Sequence, residues 1–158
     1  MATKSKKKAR RKPARKPARK PAAKRAAAKP GNSLEAFARR IVKLTLGSQP
    51  HLALRELYAE DCTSSEATGN TVTGIAGLEA KLKQWESMQS GTTWRARNVW
   101  SGKNKICIEW DAVVHLRDGR TVNLTEVAIH EVKGGKIAAE RYYYNPLALA
   151  PPASGGAS

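Results

Sequence analysis

Acid/base chemistry in a small protein starts with a carboxylate that solvent cannot fully stabilise, and Glu140 is the sharpest candidate here. In the run Ile137-Ala138-Ala139-Glu140-Arg141-Tyr142-Tyr143-Tyr144, strand alternation puts Glu140 on one side with Tyr142 and Tyr144. A carboxylate on a mostly apolar face needs a partner or a raised pKa, and either state equips it to hold or move a proton. The plainer alternatives are solvation at a wet strand edge or pairing with a nearby Arg or Lys. Trp110 and Thr125 are expected on the same face, so that Trp110, Tyr142 and Tyr144 either line an aromatic ligand pocket or simply pack a core. His115 and His130 are expected on the opposite face near Asp111 and Glu126, suited to a polar contact between subunits rather than to a metal. Cys62 and Cys107 stand 45 residues apart without zinc-type spacing and read as free, mostly buried thiols. There is no glycine-rich phosphate loop, nucleophile elbow or metal constellation, so neither a metal nor a cofactor is expected.

The elements that must hold these residues change period half-way along the chain. Asn32-x-x-Glu35 has the form of a capping box, and Leu34, Phe37, Ala38, Ile41 and Val42 follow at helical spacing, which predicts a helix over 33–46 ending at Gly47. A second short helix is expected over 51–59, with Leu54, Leu57 and Tyr58 on one side. A third follows Gly74 and Gly77, with Ile75, Leu78, Leu82 and Trp85 as its apolar stripe. From Thr92 the period is two, predicting strands over 92–100, 105–116, 121–132 and 137–145. Asp118-Gly119 and Gly134-Gly135 are two-residue hairpin signals. Taken as such, they set Trp110 opposite Val127, Ala112 opposite Thr125, Ile129 opposite Glu140 and Val127 opposite Tyr142. One face then carries Ile106, Ile108, Trp110, Ala112, Val114, Leu116, Thr125, Val127, Ile129, Glu140, Tyr142 and Tyr144. The other carries Glu109, Asp111, His115, Glu126, His130, Arg141 and Tyr143. A slip of one residue would exchange faces. The expected fold class is α+β, with three helices packed on a curved antiparallel sheet.

Charge separates this domain from its leader. Of a net +16, the first thirty residues supply nine Lys and five Arg with no acid, whereas the remainder holds fifteen basic and thirteen acidic side chains. Arg11 to Ala22 is three copies of Arg-Lys-Pro-Ala. The segment lacks large apolar side chains and is expected to be disordered over 1–32, its prolines spreading the cations along an extended line. The nucleic-acid contacts expected of it are Lys6, Lys7, Lys8, Arg10, Arg11, Lys12, Arg15, Lys16, Arg19, Lys20, Lys24 and Arg25. Such a segment meets phosphates through counterion release, without sequence selectivity, and other polyanions compete for the role. It resembles the Lys/Pro/Ala tails of linker histones and bacterial histone-like proteins. A compact domain over 33–148 and a disordered tail over 149–158 complete the expected organisation. No apolar run approaches the ~18 residues of a membrane span. A cytoplasmic protein is expected, nucleoid-associated in a bacterium or nuclear in a eukaryote.

Several short motifs occur in an informative order. Leu57-Tyr58-Ala59-Glu60-Asp61 closes the second helix, Gly74 to Gly77 opens the third, and Glu109-Trp110 lies in a long strand. Gly135-Lys136-Ile137 precedes Arg141-Tyr142-Tyr143-Tyr144-Asn145-Pro146. Over residues 33–148 this resembles the nuclear transport factor 2-like superfamily, in its SnoaL-like and ketosteroid-isomerase-like branch. The resemblance implies a sheet curled around a conical pocket, a homodimer formed through the outer sheet face, and a small hydrophobic ligand. It places Glu66 at the general-base carboxylate of the isomerases, and Val42 and Val127 at their oxyanion-stabilising pair, which two valines cannot form. The acid common near the end of the last strand in SnoaL-like proteins is Asn145 here. The fold hosts many functions. The two readings are a ligand-binding or accessory module brought to nucleic acid by the tail, favoured by the incomplete isomerase set, and a small enzyme (cyclase, isomerase or hydrolase) using Glu66 or Glu140 as acid/base.

Overall fold

The structure is a computed structural model in which residues 33–151 are described. The expectations made for the basic leader, and those for residues 152–158, lie outside the described residues. Helices α1 (Leu34–Leu46) and α2 (Pro50–Leu57) lead into strands β1 (Tyr58–Ser65) and β2 (Thr71–Thr73). Helix α3 (Gly74–Met88) is followed by β3 (Gln89–Gly102), β4 (Lys105–Leu116), β5 (Thr121–Lys133) and β6 (Lys136–Tyr143), and a 3-10 turn spans Pro146–Ala148. The strand order is β2-β1-β6-β5-β4-β3.

Three helices on an α+β sheet are as expected, but the sheet has six strands and is mixed, because β1 runs parallel to β6. The expected second helix stops at Leu57, and Tyr58 onward becomes strand. This segment, Tyr-Ala-Glu-Asp-Cys-Thr-Ser-Ser, lacks the apolar alternation that marks a strand: only Cys62 and Ser64 are buried. Helix α1 begins one residue later than the expected capping box. Ser33 caps it, its Oγ accepting the Ala36 N–H at 3.1 Å. Ala38, Ile41 and Leu44 then turn one buried stripe onto Ile106, Ile108 and Trp110 of β4. At the start of α3, Gly74 has φ +74°, and a Cβ there would sit 3.2 Å from the Glu60 carbonyl, so glycine is required.

Two turns decide which side chains face the helices. At the first, the Leu116 N–H bonds the Arg120 carbonyl at 2.8 Å and Gly119 takes φ +89°, giving a three-residue loop, Arg117-Asp118-Gly119. Trp110 therefore pairs with Glu126, Ala112 with Leu124 and Ile106 with His130, one residue off the expected register. The second turn is the expected two-residue one, with Gly134 at φ +60° and Gly135 at φ +79°. A bulge at Glu131/Val132 then shifts the ladder by one, so His130 faces Glu140 and Ala128 faces Tyr142. The two shifts cancel for β6 but not for β5.

Glu140 and Tyr142 stay inside, whereas β5 is turned over. Leu124, Glu126, Ala128 and His130 are buried inward, correcting the expectation that Thr125, Val127 and Ile129 face the helices. Thr125 is exposed on the outer face and is not a pocket residue; its hydroxyl lies 3.4 Å from Asp111 Oδ1. His115 remains outside, its Nδ1 3.1 Å from Thr121 Oγ1. The outer face also carries Trp100, Val113 and Tyr143, all exposed, among Arg95–Asp111 and Arg97–Glu109 ion pairs. Packing continues two residues past the expected domain end. Leu149 joins the cluster of Val114 and Leu124, and the Arg120 guanidinium donates to the Ala150 carbonyl at 2.8 Å.

Candidate functional site

A cavity of about 730 Å³ opens between the three helices and the inner sheet face. Its walls are unequal. Leu54, Leu57, Leu78 and Leu82 from the helices face Trp94, Trp110 and Leu124 from the sheet and form an apolar part. The Trp94 and Trp110 rings meet edge to face at 5.8 Å. Tyr58, Glu66, Lys81, Glu126, His130, Glu140, Tyr142 and Tyr144 form the polar part.

Glu140, 3% exposed, is the hub of that polar part. Its Oε1 accepts the Ser64 hydroxyl at 2.8 Å and its Oε2 the Tyr58 hydroxyl at 2.6 Å. Lys81 Nζ lies 3.9 Å from Oε1, and His130 Nδ1 lies 3.3 Å from Oε2. Burial alone would raise the Glu140 pKa, but His130, Lys81 and the Tyr58 hydroxyl outweigh it and hold the carboxyl near 2. Tyr58 and Tyr142 shift the other way: burial first, then the Glu140 charge, push both phenols well above their usual range.

Lys81, from α3, ties the polar part together. Its Nζ pairs with Glu66, donates to Ser64 Oγ at 2.7 Å and sits 4.2 Å from the centroid of the Tyr142 ring. The other oxygen of Glu66 accepts the Tyr144 hydroxyl at 2.9 Å. Glu66 thus reaches the cavity as a paired carboxylate. Glu126 differs from both acids: it is 8% exposed, and among the described residues it has neither a hydrogen bond nor an ion pair. Burial, followed by the Glu66 charge, raises its pKa to about 8. His130 is 3% exposed, and neither ring nitrogen makes a hydrogen bond among the described residues.

The cavity thus brings together Glu66, Glu140, Trp110, Tyr142 and Tyr144, and leaves out Thr125. Sequence reasoning missed Tyr58, Ser64, Lys81, Glu126 and His130. A signal for the two β5 residues was present, because reading Arg117-Asp118-Gly119 as a three-residue loop places Leu124, Glu126, Ala128 and His130 together inside. Val127, set by resemblance at an oxyanion position, faces outward, and it is its neighbour Glu126 that enters the cavity. Asn145 caps the 3-10 turn, its Oδ1 accepting the Leu147 N–H at 3.1 Å. No cluster of His, Cys, Asp and Glu able to hold a metal occurs among the described residues.

The sequence matches the SnoaL-like domain over residues 38–140, from the middle of α1 to the cavity carboxylate Glu140. The chain belongs to the SnoaL-like domain family. Similar solved structures share the fold of this SnoaL-like chain. A candidate SnoaL-like polyketide cyclase from Mesorhizobium loti is 23% identical, with a TM-score of 0.63, covering 71% of this chain and 99% of its own. A second candidate polyketide cyclase, from Jannaschia sp. CCS1, is 16% identical with a TM-score of 0.65, covering 80% and 99%. A protein of ketosteroid-isomerase-like fold from Catenulispora acidiphila, in complex with trimethylamine, is 16% identical with a TM-score of 0.63, covering 72% and 88%. No curated protein matches the sequence. Among the described residues, no helix of this SnoaL-like domain is long and apolar enough to cross a membrane.

Proposed function

We propose that the cavity is the active site of an acid/base enzyme that moves a proton on a small, mostly apolar molecule, with His130 as the proton-transfer group. The observation that carries this reading is the pairing of His130 with Glu140 on the cavity wall. In the tautomer that directs Nδ1–H at Glu140, Nε2 is the free base. A base oriented by a buried carboxylate is the working half of many proton-transfer sites. Glu140 is then a positioning residue, because its oxygens are taken and its proton is lost far below neutrality. Glu66 is likewise occupied by Lys81 and Tyr144. The balance between the two sequence readings moves toward an enzyme, since a buried imidazole whose Nε2 has no partner is costly in a pocket that only binds apolar matter.

The test needs no natural substrate. 2-Tetralone, an aromatic ketone with acidic α-hydrogens, is incubated in D2O and its exchange followed by NMR. The protein is expected to accelerate exchange, and His130→Gln to lose about 100-fold or more of that acceleration with the fold intact. Undiminished exchange in the folded variant, or none with the natural protein, overturns the assignment.

The basic leader supports a second, separable role. Fourteen cations with no acid in thirty residues suit a polyanion, and nucleic acid is the partner proposed for them. A gel shift at low salt is expected to show DNA retarded by the full chain and not by a chain lacking residues 1–30; equal affinity removes the proposal. The exposed Trp100, Val113 and Tyr143 make the outer sheet face the surface proposed for a homodimer.

A further inference from the structure

The cavity's carboxyls have unequal company. Glu140 holds Ser64 and Tyr58, Glu66 holds Lys81 and Tyr144, and at the rim Glu86 faces His51 at 3.4 Å. Glu126 is also buried, at 8% exposure against 3% for Glu140, yet has no donor among the described residues. A largely buried carboxyl without a protein donor is unfavourable, and the Glu126 oxygens are open to the cavity, so water or a ligand there completes it.

Three features of its surroundings select the kind of donor. Trp110 is its cross-strand partner on the inner face, and Trp94 stands edge-on to Trp110 at 5.8 Å, so aromatic surface flanks the carboxyl. Aromatic faces beside a carboxylate attract alkylammonium groups, because the ring quadrupole and the negative charge act together. The polar part already accommodates one ammonium in this way: Lys81 Nζ rests over the Tyr142 ring and against Glu66. Finally, Glu66, Glu126 and Glu140 face a single ammonium, Lys81, and one imidazole, His130, an acid-rich surrounding that disfavours an anionic ligand.

We propose that Glu126 is the counter-ion of a cationic nitrogen, and that the cavity takes an amine or quaternary ammonium carried on an apolar body of about the size of an aromatic ring. The inference rests on the cavity being a ligand site; it does not require proton transfer by His130. Leu54, Leu57, Leu78 and Leu82 supply the wall for the body of the ligand.

A proton linkage follows from the groups around Glu126. Glu66 from the β1–β2 turn and Glu140 from β6 favour its protonated form, Lys81 from α3 opposes them, and burial dominates, so the empty cavity holds the proton to about pH 8. Tyr144 and His130 also line this wall. A cation arriving beside the carboxyl expels that proton. Affinity for a cation therefore rises as pH approaches 8, by up to about tenfold per unit.

The probes are benzyltrimethylammonium, whose charge does not titrate, and phenyl tert-butyl ketone, an uncharged molecule of similar size with a carbonyl acceptor. Binding is read by quenching of tryptophan fluorescence, to which the cavity residues Trp85, Trp94 and Trp110 contribute, with the full-length protein at pH 6, 7 and 8. The cation is expected to bind more tightly than the ketone and to gain affinity with pH. Glu126→Gln, which keeps the volume and a hydrogen-bond donor, is expected to weaken the cation at least tenfold and leave the ketone unchanged. A ketone that binds more tightly than the cation, with Gln preserving it, means a protonated Glu126 acting as donor and overturns the inference while the cavity stands. Cation affinity independent of pH in the natural protein overturns it without recourse to the variant. If neither probe enters, the ligand-site reading falls with it.

Discussion

At pH 8, the Glu126→Gln protein is expected to be more stable than the natural one by about 4–5 kcal/mol, and at pH 4.5 the difference is expected to vanish. The physical cause is a proton. Unfolded Glu126 titrates near its ordinary 4.5, whereas in the fold burial raises its pKa to about 8. Between those values the native state holds a proton that the unfolded chain has released, so stability falls as pH rises. The contribution is complete below 4.5 and is lost progressively until the folded group ionises near 8. A difference of one pKa unit corresponds to about 1.4 kcal/mol, which gives the size of the effect. Gln has the same shape and no proton to lose, so it removes the slope. Urea melts of both proteins at pH 4.5, 6 and 8 check this. A stability difference that stays constant with pH contradicts the assignment of Glu126 as an unpaired buried acid.

That prediction depends on a side chain whose placement turned on a single residue in a loop. Periodicity alone located α1, α3 and the four strands β3 to β6, because their apolar positions recur at three to four or at two along the chain. It also placed Glu140 and Tyr142 inside, although by two shifts of register that cancel. Arg117-Asp118-Gly119-Arg120 fits both a two-residue and a three-residue hairpin, since each needs glycine at a left-handed position, and only tertiary packing chooses. The choice moved Glu126 and His130 from the outer face to the cavity. β1 was hidden for another reason. It is held by pairing with β6 and β2, and its short polar sequence carries no apolar period for local reading to detect. With β1 unseen, the partners Tyr58 and Ser64 of Glu140 were also unseen, and so was the reason that this acid can stay charged in the core.

Glu140→Gln is expected to have the opposite stability signature. The Glu140 carboxylate receives two hydroxyl donors and lies beside Lys81 and His130, so removing its charge leaves a half-buried ammonium and a buried imidazole without their shared anion. Breaking one side of such a pair costs about 3–5 kcal/mol. Its folded pKa, near 2, lies below the ordinary 4.5, so its contribution is present above 4.5 and is lost as pH falls toward 2. The loss in the variant should therefore be large at pH 6 and small at pH 2.5, as read by the same urea melts. Equal destabilisation at both pH values would mean that packing, not charge, is what Glu140 supplies. Together the two acids bound the stability profile from opposite sides. Glu140 erodes stability below pH 4.5 and Glu126 erodes it above, so their joint optimum falls near the ordinary carboxylate pKa. A ligand cation seated on Glu126 ionises it in the complex, and is expected to move that optimum toward neutrality.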